Sequence, residues 1–166
     1  LSALCAHLVD GEPGSDTIAK QIGVKLSDRY DVLAIRVDGD EPRTTHETLA
    51  ARRRLRLANQ VFYGRGAGEI LNTFDGHTGV ILLPAQVVEP RDDAVMATHL
   101  GALIDALSER LEVAIYAAHH PGATLAAIPA AAAEAAEITC LARQLNREPG
   151  IYQLSDVLFE YQSTRP

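Results

Sequence analysis

The chain has 166 residues, of which 47% are hydrophobic and 22% charged, a balance typical of one soluble globular domain with a sizeable core. The formal net charge of −7 argues against direct binding to nucleic acid, because contacts with phosphates need a basic surface. Cys5 and Cys140 lie far apart within predicted helices, so neither a disulfide framework nor a zinc site is expected, and a reducing cytoplasm is the predicted location.

The first thirty residues predict two short helices. Leu1–Val9 has apolar residues at helical spacing. After a turn, Ser15 or Asp16 can cap a second helix that runs to Ile22 and ends at Gly23. These elements predict a helical leader ahead of the first strand.

The first strand and the first long helix follow. Asp31–Asp38 is rich in β-branched and bulky residues and predicts a strand. Pro42–Tyr63 predicts a helix that Thr44 or Thr45 would cap. The residues expected on its inward face are Leu49, Leu55, Ala58 and Val61 or Phe62.

Glu69–Pro84 predicts a β-hairpin. Asp75-Gly76 separates two strand-like runs, and such a pair tolerates the positive φ that a tight hairpin turn requires. The second run, Val80–Leu83, is apolar at successive positions, which indicates a strand covered on both faces in the middle of a sheet.

The second half predicts two more long helices and two strands. A helix is expected over Asp92–Leu111, and its predicted inward residues are Val95, Met96, His99, Leu103, Ile104 and Leu107. The other expected elements, in chain order, are a strand at Glu112–Ala117, a turn at Ala118–Gly122, a helical stretch at Ala123–Asn146 with Pro129 in its first turns, a strand at Ile151–Gln153 and a helix from Ser155. Residues 126–136 are alanine-rich but include Glu134, so we expect a tightly packed helix and no membrane span.

The middle of the chain therefore has the order β-α-β-β-α-β, with helices added at both ends. This predicts an α+β fold of the ferredoxin-like, split βαβ type. The expected organisation is a helical leader at residues 1–30, an α+β domain at 31–153, and a C-terminal helix at 154–166.

Two stretches carry a resemblance to a known family. The opening CAHLVDGEP…IAKQIGVKLSDRYDVLAIRVD and the tail AAIPAAAAEAAEITCLARQLNREPGIYQLSDV resemble the leader and the alanine-rich helix of the degenerate GGDEF-like domains in bacterial transcription regulators of the PucR type (purine catabolism) and the CdaR type (sugar diacids). The resemblance spans nearly the whole chain. It implies a central, non-catalytic module that self-associates, with a helix-turn-helix DNA-binding domain further along the parent protein. The sequence ends at Pro166 with no recognition-helix pattern, so we expect that domain to lie outside it.

The hairpin tip is the candidate site that the resemblance singles out. Active GGDEF cyclases carry Gly-Gly-Asp/Glu-Glu-Phe there and an Asp at the end of the first strand as a metal ligand. Here the tip reads DGHT, and the strand ends near Asp38 and Asp40, with Arg36 as the alternative equivalent of that Asp. We expect no catalytic residue, metal or cofactor. The weak candidates for binding are Asp38 together with Asp75, Gly76 and His77 at the tip.

The other residues with possible chemical roles have structural explanations. Gly64–Gly68 precedes a strand, whereas phosphate-binding loops follow one and open a helix. The arginines of residues 52–56 are typical of a solvated helix face. His119 and His120 have no acidic or cysteine neighbour at metal-ligand spacing. Cys140 lies among small apolar residues, as expected of a core cysteine.

Three functions remain open from the sequence. The first is the non-catalytic regulatory domain, a homodimer through its alanine-rich helix or through Val157, Leu158 and Tyr161 of the terminal helix. The second is a divergent nucleotide cyclase, in which Asp38 and Asp75 would converge on a metal. The third is a sensor domain that binds a nucleotide or another small-molecule effector of unknown identity.

Overall fold

The computed structural model describes residues 2–64, 70–85 and 93–157, which form a mixed α+β domain with a five-stranded sheet. The helices are α1 (Ser2–Asp10), α2 (Ser15–Ile22), α3 (Thr45–Gly64), α4 (Asp93–Leu111), a 3-10 helix (Leu125–Ala127) and α5 (Ile128–Gln144). The strands are β1 (Arg29–Val37), β2 (Leu71–Asn72), β3 (Thr78–Pro84), β4 (Ile115–Thr124) and β5 (Gly150–Tyr152). Residues 154–157 add a helical turn.

The sheet has the strand order β2-β3-β1-β4-β5. β1 pairs antiparallel with β3 on one side and with β4 on the other, β2 pairs antiparallel with β3, and β5 pairs parallel with β4. The predicted place of the second hairpin strand is confirmed, because β3 lies between β2 and β1.

Helices cover both faces of the sheet. Successive side chains of β1 point to opposite sides, so each face has its own apolar core. Leu33 and Ile35 pack on one face in a core that includes residues of α3 and α4, such as Phe62 and Leu107. Val32 packs on the other face in a core shared with α1 and α5. Burial of each such aliphatic side chain stabilises the fold by roughly 1.5–3 kcal/mol.

The alanine-rich helix α5 lies against the middle of the sheet. Its buried residues are Ile128, Ala131, Ala132, Ala135, Ile138, Thr139 and Ala142, and the helix contacts β1, β4 and α1. Small side chains allow this close approach, so the predicted packing of the helix on its own sheet is confirmed. Within the described part of the chain, Leu125–Gln144 is the single stretch that is long and apolar enough to cross a membrane, a test that buried core helices of soluble proteins also pass.

Local signals at several helix ends behave as predicted. The Thr44 hydroxyl accepts a hydrogen bond from the Glu47 backbone N–H at 3.1 Å, and the Glu47 carboxylate accepts one from the Thr44 N–H at 3.1 Å, which is a capping box. Gly23 closes α2 with φ +74°, and Pro129 lies in the first turn of α5. The predicted cap of α2 is wrong, because Gly14 is the N-cap and no side chain caps that helix.

The predicted inward faces of α3 and α4 are partly wrong. Leu49 is 56% exposed and Ala51 is buried in its place. In α4, Val95 and His99 are exposed, and Leu100 is buried. Both helices have apolar residues around more than one side, so spacing alone does not select the face that meets the sheet.

The predicted turn at residues 118–122 is also wrong, because β4 continues through it to Thr124. The pairing of β1 with β4 shifts between Tyr30 and Val32, so that Pro121 and Gly122 form a bulge opposite Asp31. Pro121 has no N–H to donate to the neighbouring strand, and Gly122 has φ +60°. A proline and a glycine that suggest a turn are accommodated here within a bulged strand.

Candidate functional site

The hairpin between β2 and β3 has a tight, internally bonded tip. The Asp75 carboxylate oxygen Oδ1 accepts hydrogen bonds from the backbone N–H groups of His77 and Thr78, each at 2.9 Å. The Asp75 N–H donates to the Thr78 carbonyl at 3.1 Å, and Gly76 has φ +96°. The tight turn predicted at Asp75-Gly76 is confirmed, and one oxygen of the Asp75 carboxylate is used in forming it.

Gly76 is required because the tip lies directly against α3. A Cβ atom at this position would lie 1.9 Å from the carbonyl oxygen of Ala51. The Arg54 Nε donates a hydrogen bond of 2.6 Å to the Gly76 carbonyl oxygen. The tip and the helix are therefore held together by a steric fit and by a charged donor.

A cavity of about 460 Å³ opens where the end of β1, the start of α3 and the hairpin tip meet. Its charged groups are two arginines and two carboxylates. The lining residues are Arg36, Glu41, Pro42, Thr48, Ala51, Arg52, Asp75, His77 and Thr78. A small polar molecule would fit a space of this volume.

Two side chains of this cavity have buried polar atoms without a partner among the described residues. His77 is 7% exposed, and neither its Nδ1 nor the Nε of Arg36 has a hydrogen-bond partner among the described residues. Burial, and then the charge of Arg36, lower the pKa of His77, so the ring is neutral near pH 7. A buried donor or acceptor without a partner costs about 1–3 kcal/mol, so this arrangement is unusual for a purely structural corner.

The carboxylates predicted near the end of the first strand face α5 instead. The Arg143 guanidinium binds Asp38 at 3.3 Å and Asp40 at 3.2 Å. Neither carboxylate lines the cavity that holds Asp75. The structure thus brings Asp75, Gly76 and His77 together at the tip and places Asp38 in a separate ion pair. Residues 2–64, 70–85 and 93–157 contain no group of three or more His, Cys, Asp or Glu side chains that could hold a metal ion.

A buried Asp–His pair lies near the start of β1, and sequence reasoning missed it. The Asp31 Oδ2 lies 3.0 Å from the His119 Nε2, and the Asp31 Oδ1 accepts a hydrogen bond of 2.8 Å from the Gly122 N–H. Asp31 is fully buried. The one available signal was the carboxylate of Asp31, followed directly by apolar strand residues, and it did not identify a partner.

The remaining candidates show no assembled chemistry. Gly64 ends α3, and residues 65–69 of the predicted glycine loop lie outside the described residues. Arg53 and Arg56 line a surface depression on α3. Cys140 is only partly buried. Burial raises the pKa of the other cysteine, Cys5, to about 12, which makes this thiol a poor nucleophile.

Comparison with known protein families found no family that matches the chain, and comparison with curated proteins found no match either.

Proposed function

We propose that this chain is a non-catalytic, GGDEF-like regulatory domain of a PucR/CdaR-type transcription regulator. In this proposal it self-associates in the cytoplasm and relays a signal to a DNA-binding domain elsewhere in the parent protein. The observation that best supports this proposal is at the hairpin tip, where an arginine and a neutral histidine line the cavity.

The order of the strands supports a ferredoxin-like core. In a split βαβ arrangement, each crossover helix joins two parallel strands that have one antiparallel strand between them. The observed order β2-β3-β1-β4, with every adjacent pair antiparallel, fits α3 and α4 as those two crossovers. On this interpretation β5, α1, α2 and α5 are additions to the core.

The charges around the tip support the absence of cyclase activity. Nucleotide cyclisation of the GGDEF kind needs magnesium ions, which carboxylates hold and which stabilise the charge that develops during phosphoryl transfer. Arg36 and His77 provide no anionic ligand, and Arg143 engages Asp38 and Asp40 in ion pairs, which leaves Glu41 and Asp75 as the carboxylates of the cavity. A divalent cation would meet a guanidinium at the end of β1, and this repulsion disfavours a metal there.

Exposed apolar side chains support self-association through helices. Leu49 and Tyr63 of α3 are 56% and 70% exposed, and Val95 of α4 is 47% exposed. Val157, which was predicted to contact a second chain, is fully buried within this chain against Ala135 and its neighbours. Leu158 and Tyr161 lie outside the described residues.

The lack of catalysis is tested by incubating the purified chain with GTP and magnesium and measuring product by chromatography. We expect no cyclic dinucleotide and no pyrophosphate release. Arg36→Asp, which restores a carboxylate at the end of β1, serves as a companion variant and should also be inactive, since the rest of the motif is missing. Turnover by the unmodified chain would overturn the proposal.

Self-association is tested by sedimentation equilibrium over a range of concentrations. We expect a reversible dimer that Leu49→Glu weakens by about tenfold, because a charge would be desolvated at the interface. The matched control is Ile22→Glu on α2, where the side chain is also about half exposed, at 45%. A monomer at every concentration would contradict the dimer, and equal effects of the two substitutions would place its interface away from α3.

A further inference from the structure

We propose that the cavity at the hairpin tip binds one carboxylate group of a small polar molecule, without a metal ion, through the side chains of Arg36 and His77. This inference deepens the proposed function and rests on it, since it names the chemistry of an effector for the regulatory domain. A ligand-binding measurement tests this inference, so the inference can fail while self-association and the lack of catalysis still hold.

Arg36 supplies the positive charge of the proposed site and is available to a ligand. Its side chain lines the cavity, its Nε is shielded from solvent without a hydrogen-bond partner, and no ion pair joins it to another described residue. Glu41 and Asp75 line the same cavity, yet neither is within ion-pair distance of this guanidinium. An arginine always carries its charge and presents a planar fork that matches the two oxygens of a carboxylate.

His77 adds a neutral polar group beside that charge. The residue is 7% exposed and lines the cavity, and its Nδ1 is shielded from solvent without a partner among the described residues. Its backbone N–H is already bonded to Asp75, so the position of the ring is set by the turn. A neutral imidazole can donate one hydrogen bond to an anion next to Arg36 without adding a second charge.

The mixed charges of the cavity disfavour a multiply charged anion. Arg36 and Arg52 supply two positive charges, and Glu41 and Asp75 supply two negative charges. A di- or triphosphate would meet both carboxylates and be repelled. A carboxylate with neighbouring hydroxyl groups fits better, because hydroxyls can donate to Glu41 and Asp75 while the carboxylate meets the guanidinium.

The experiment is a titration of the whole 166-residue chain with glycolate, a monocarboxylate with one hydroxyl group, at constant ionic strength and without magnesium. Binding is followed by nuclear magnetic resonance, with the imidazole signals of His77 as the local probe. We expect saturable shifts with a dissociation constant on the order of 1 mM. Inorganic phosphate is titrated in parallel to distinguish the two anion chemistries.

Three substitutions localise the effect. Arg36→Gln and Arg52→Gln each remove one charge from the cavity and should raise the dissociation constant at least about tenfold. Arg52 is exposed, so its substitution tests the site even if Arg36→Gln disturbs the fold. Arg53→Gln is the matched control, since Arg53 is the next residue of α3, is exposed and does not line the cavity. Its affinity should equal that of the unmodified chain.

Each result of these titrations either supports or overturns the carboxylate site. Saturable glycolate binding that both cavity substitutions weaken and the control preserves supports it. Tighter binding of phosphate than of glycolate overturns the carboxylate assignment, and a requirement for magnesium overturns the metal-free site. Shifts that stay linear to about a hundredfold above the expected dissociation constant, or that the control weakens equally, show only non-specific screening and also overturn it.

Discussion

His77 and His119 are buried histidines near opposite ends of β1, and their neighbours have opposite charge. His119 lies 3.0 Å from the fully buried Asp31, whose other oxygen accepts the Gly122 N–H. His77 lies beside Arg36, and polar atoms of both side chains lack partners among the described residues. The first pair is a closed structural unit. The second group, Arg36 and His77, forms an open corner. It contains polar atoms without partners among the described residues, which is typical of a binding site.

Breaking the closed unit should have the largest effect on stability. Asp31→Ala leaves His119 and the Gly122 N–H without their acceptor in a buried place, and we expect a loss of about 3–5 kcal/mol in the free energy of unfolding. Urea denaturation measures this loss. Asp28→Ala, at an exposed position three residues earlier, is the control and should stay within about 0.5 kcal/mol of the unmodified chain. Similar values for both substitutions would show that the Asp31–His119 pair contributes little.

A substitution at the hairpin tip tests how rigidly the open corner is built. Gly76→Ala must adopt a positive φ and also displace the Ala51 carbonyl, and we expect a loss of about 2–5 kcal/mol. Gly14→Ala separates the two causes, because Gly14 has nearly the same φ of +97° with nothing near its missing Cβ. It should cost about 1–2 kcal/mol by thermal or urea unfolding. Equal losses at the two glycines would mean that the tip shifts away from α3 without cost.

The charged bond between α3 and the tip should contribute less. Arg54→Gln removes the hydrogen bond to the Gly76 carbonyl, and we expect a loss of about 1–2 kcal/mol because the bond is partly buried. Arg53→Gln keeps this bond and should change the unfolding free energy by less than about 0.5 kcal/mol. If the neighbouring substitution costs as much, the general charge of the helix and not this contact is responsible.

The smallest expected effect is a change of stability with pH at the open corner. The pKa of His77 is lowered from its ordinary value of 6.5 by burial, and the charges around it are Arg36, Asp75, Arg54 and Glu41. Below pH 6.5 the unfolded chain binds a proton that the folded chain resists. The stabilising contribution of the neutral ring is therefore present above pH 6.5 and is lost as pH falls through the lowered pKa.

His77→Asn should accordingly lose less stability than the unmodified chain between pH 7 and about pH 5 in urea unfolding. His46→Asn, which changes an exposed histidine on α3, should keep the full pH dependence. Identical pH profiles for all three chains would show that His77 titrates normally in the folded state.

The features that the sequence predicted well depend on a few neighbouring residues. Asp75-Gly76 forms the turn, Thr44 and Glu47 form the capping box, and Gly23 ends α2, because each signal acts within about four residues. The interior position of β3 followed from its unbroken apolar run. Local sequence signals therefore predicted most of the helices and strands and much of their arrangement.

The features that were missed depend on contacts between distant residues. Asp31 and His119 are 88 positions apart, and nothing near either one indicates the other. The inward face of α3 includes Ala51, whose backbone lies against Gly76 of the distant hairpin tip, and leaves Leu49 exposed. His77 was a predicted binding candidate and Arg36 was noted at the end of the first strand, but the sequence could not show that their polar atoms lack partners, which is a property of the folded cavity.

The short outer strands limit the ways in which the sheet can join another chain. β2 has two residues and β5 has three, whereas the inner strands β1, β3 and β4 have seven to ten. The outer edges of β2 and β5 therefore offer an incoming strand only two or three residues with backbone groups to pair, too few for a stable continuous sheet built on those two strands. The two outer strands are therefore poor templates for fibril-like stacking.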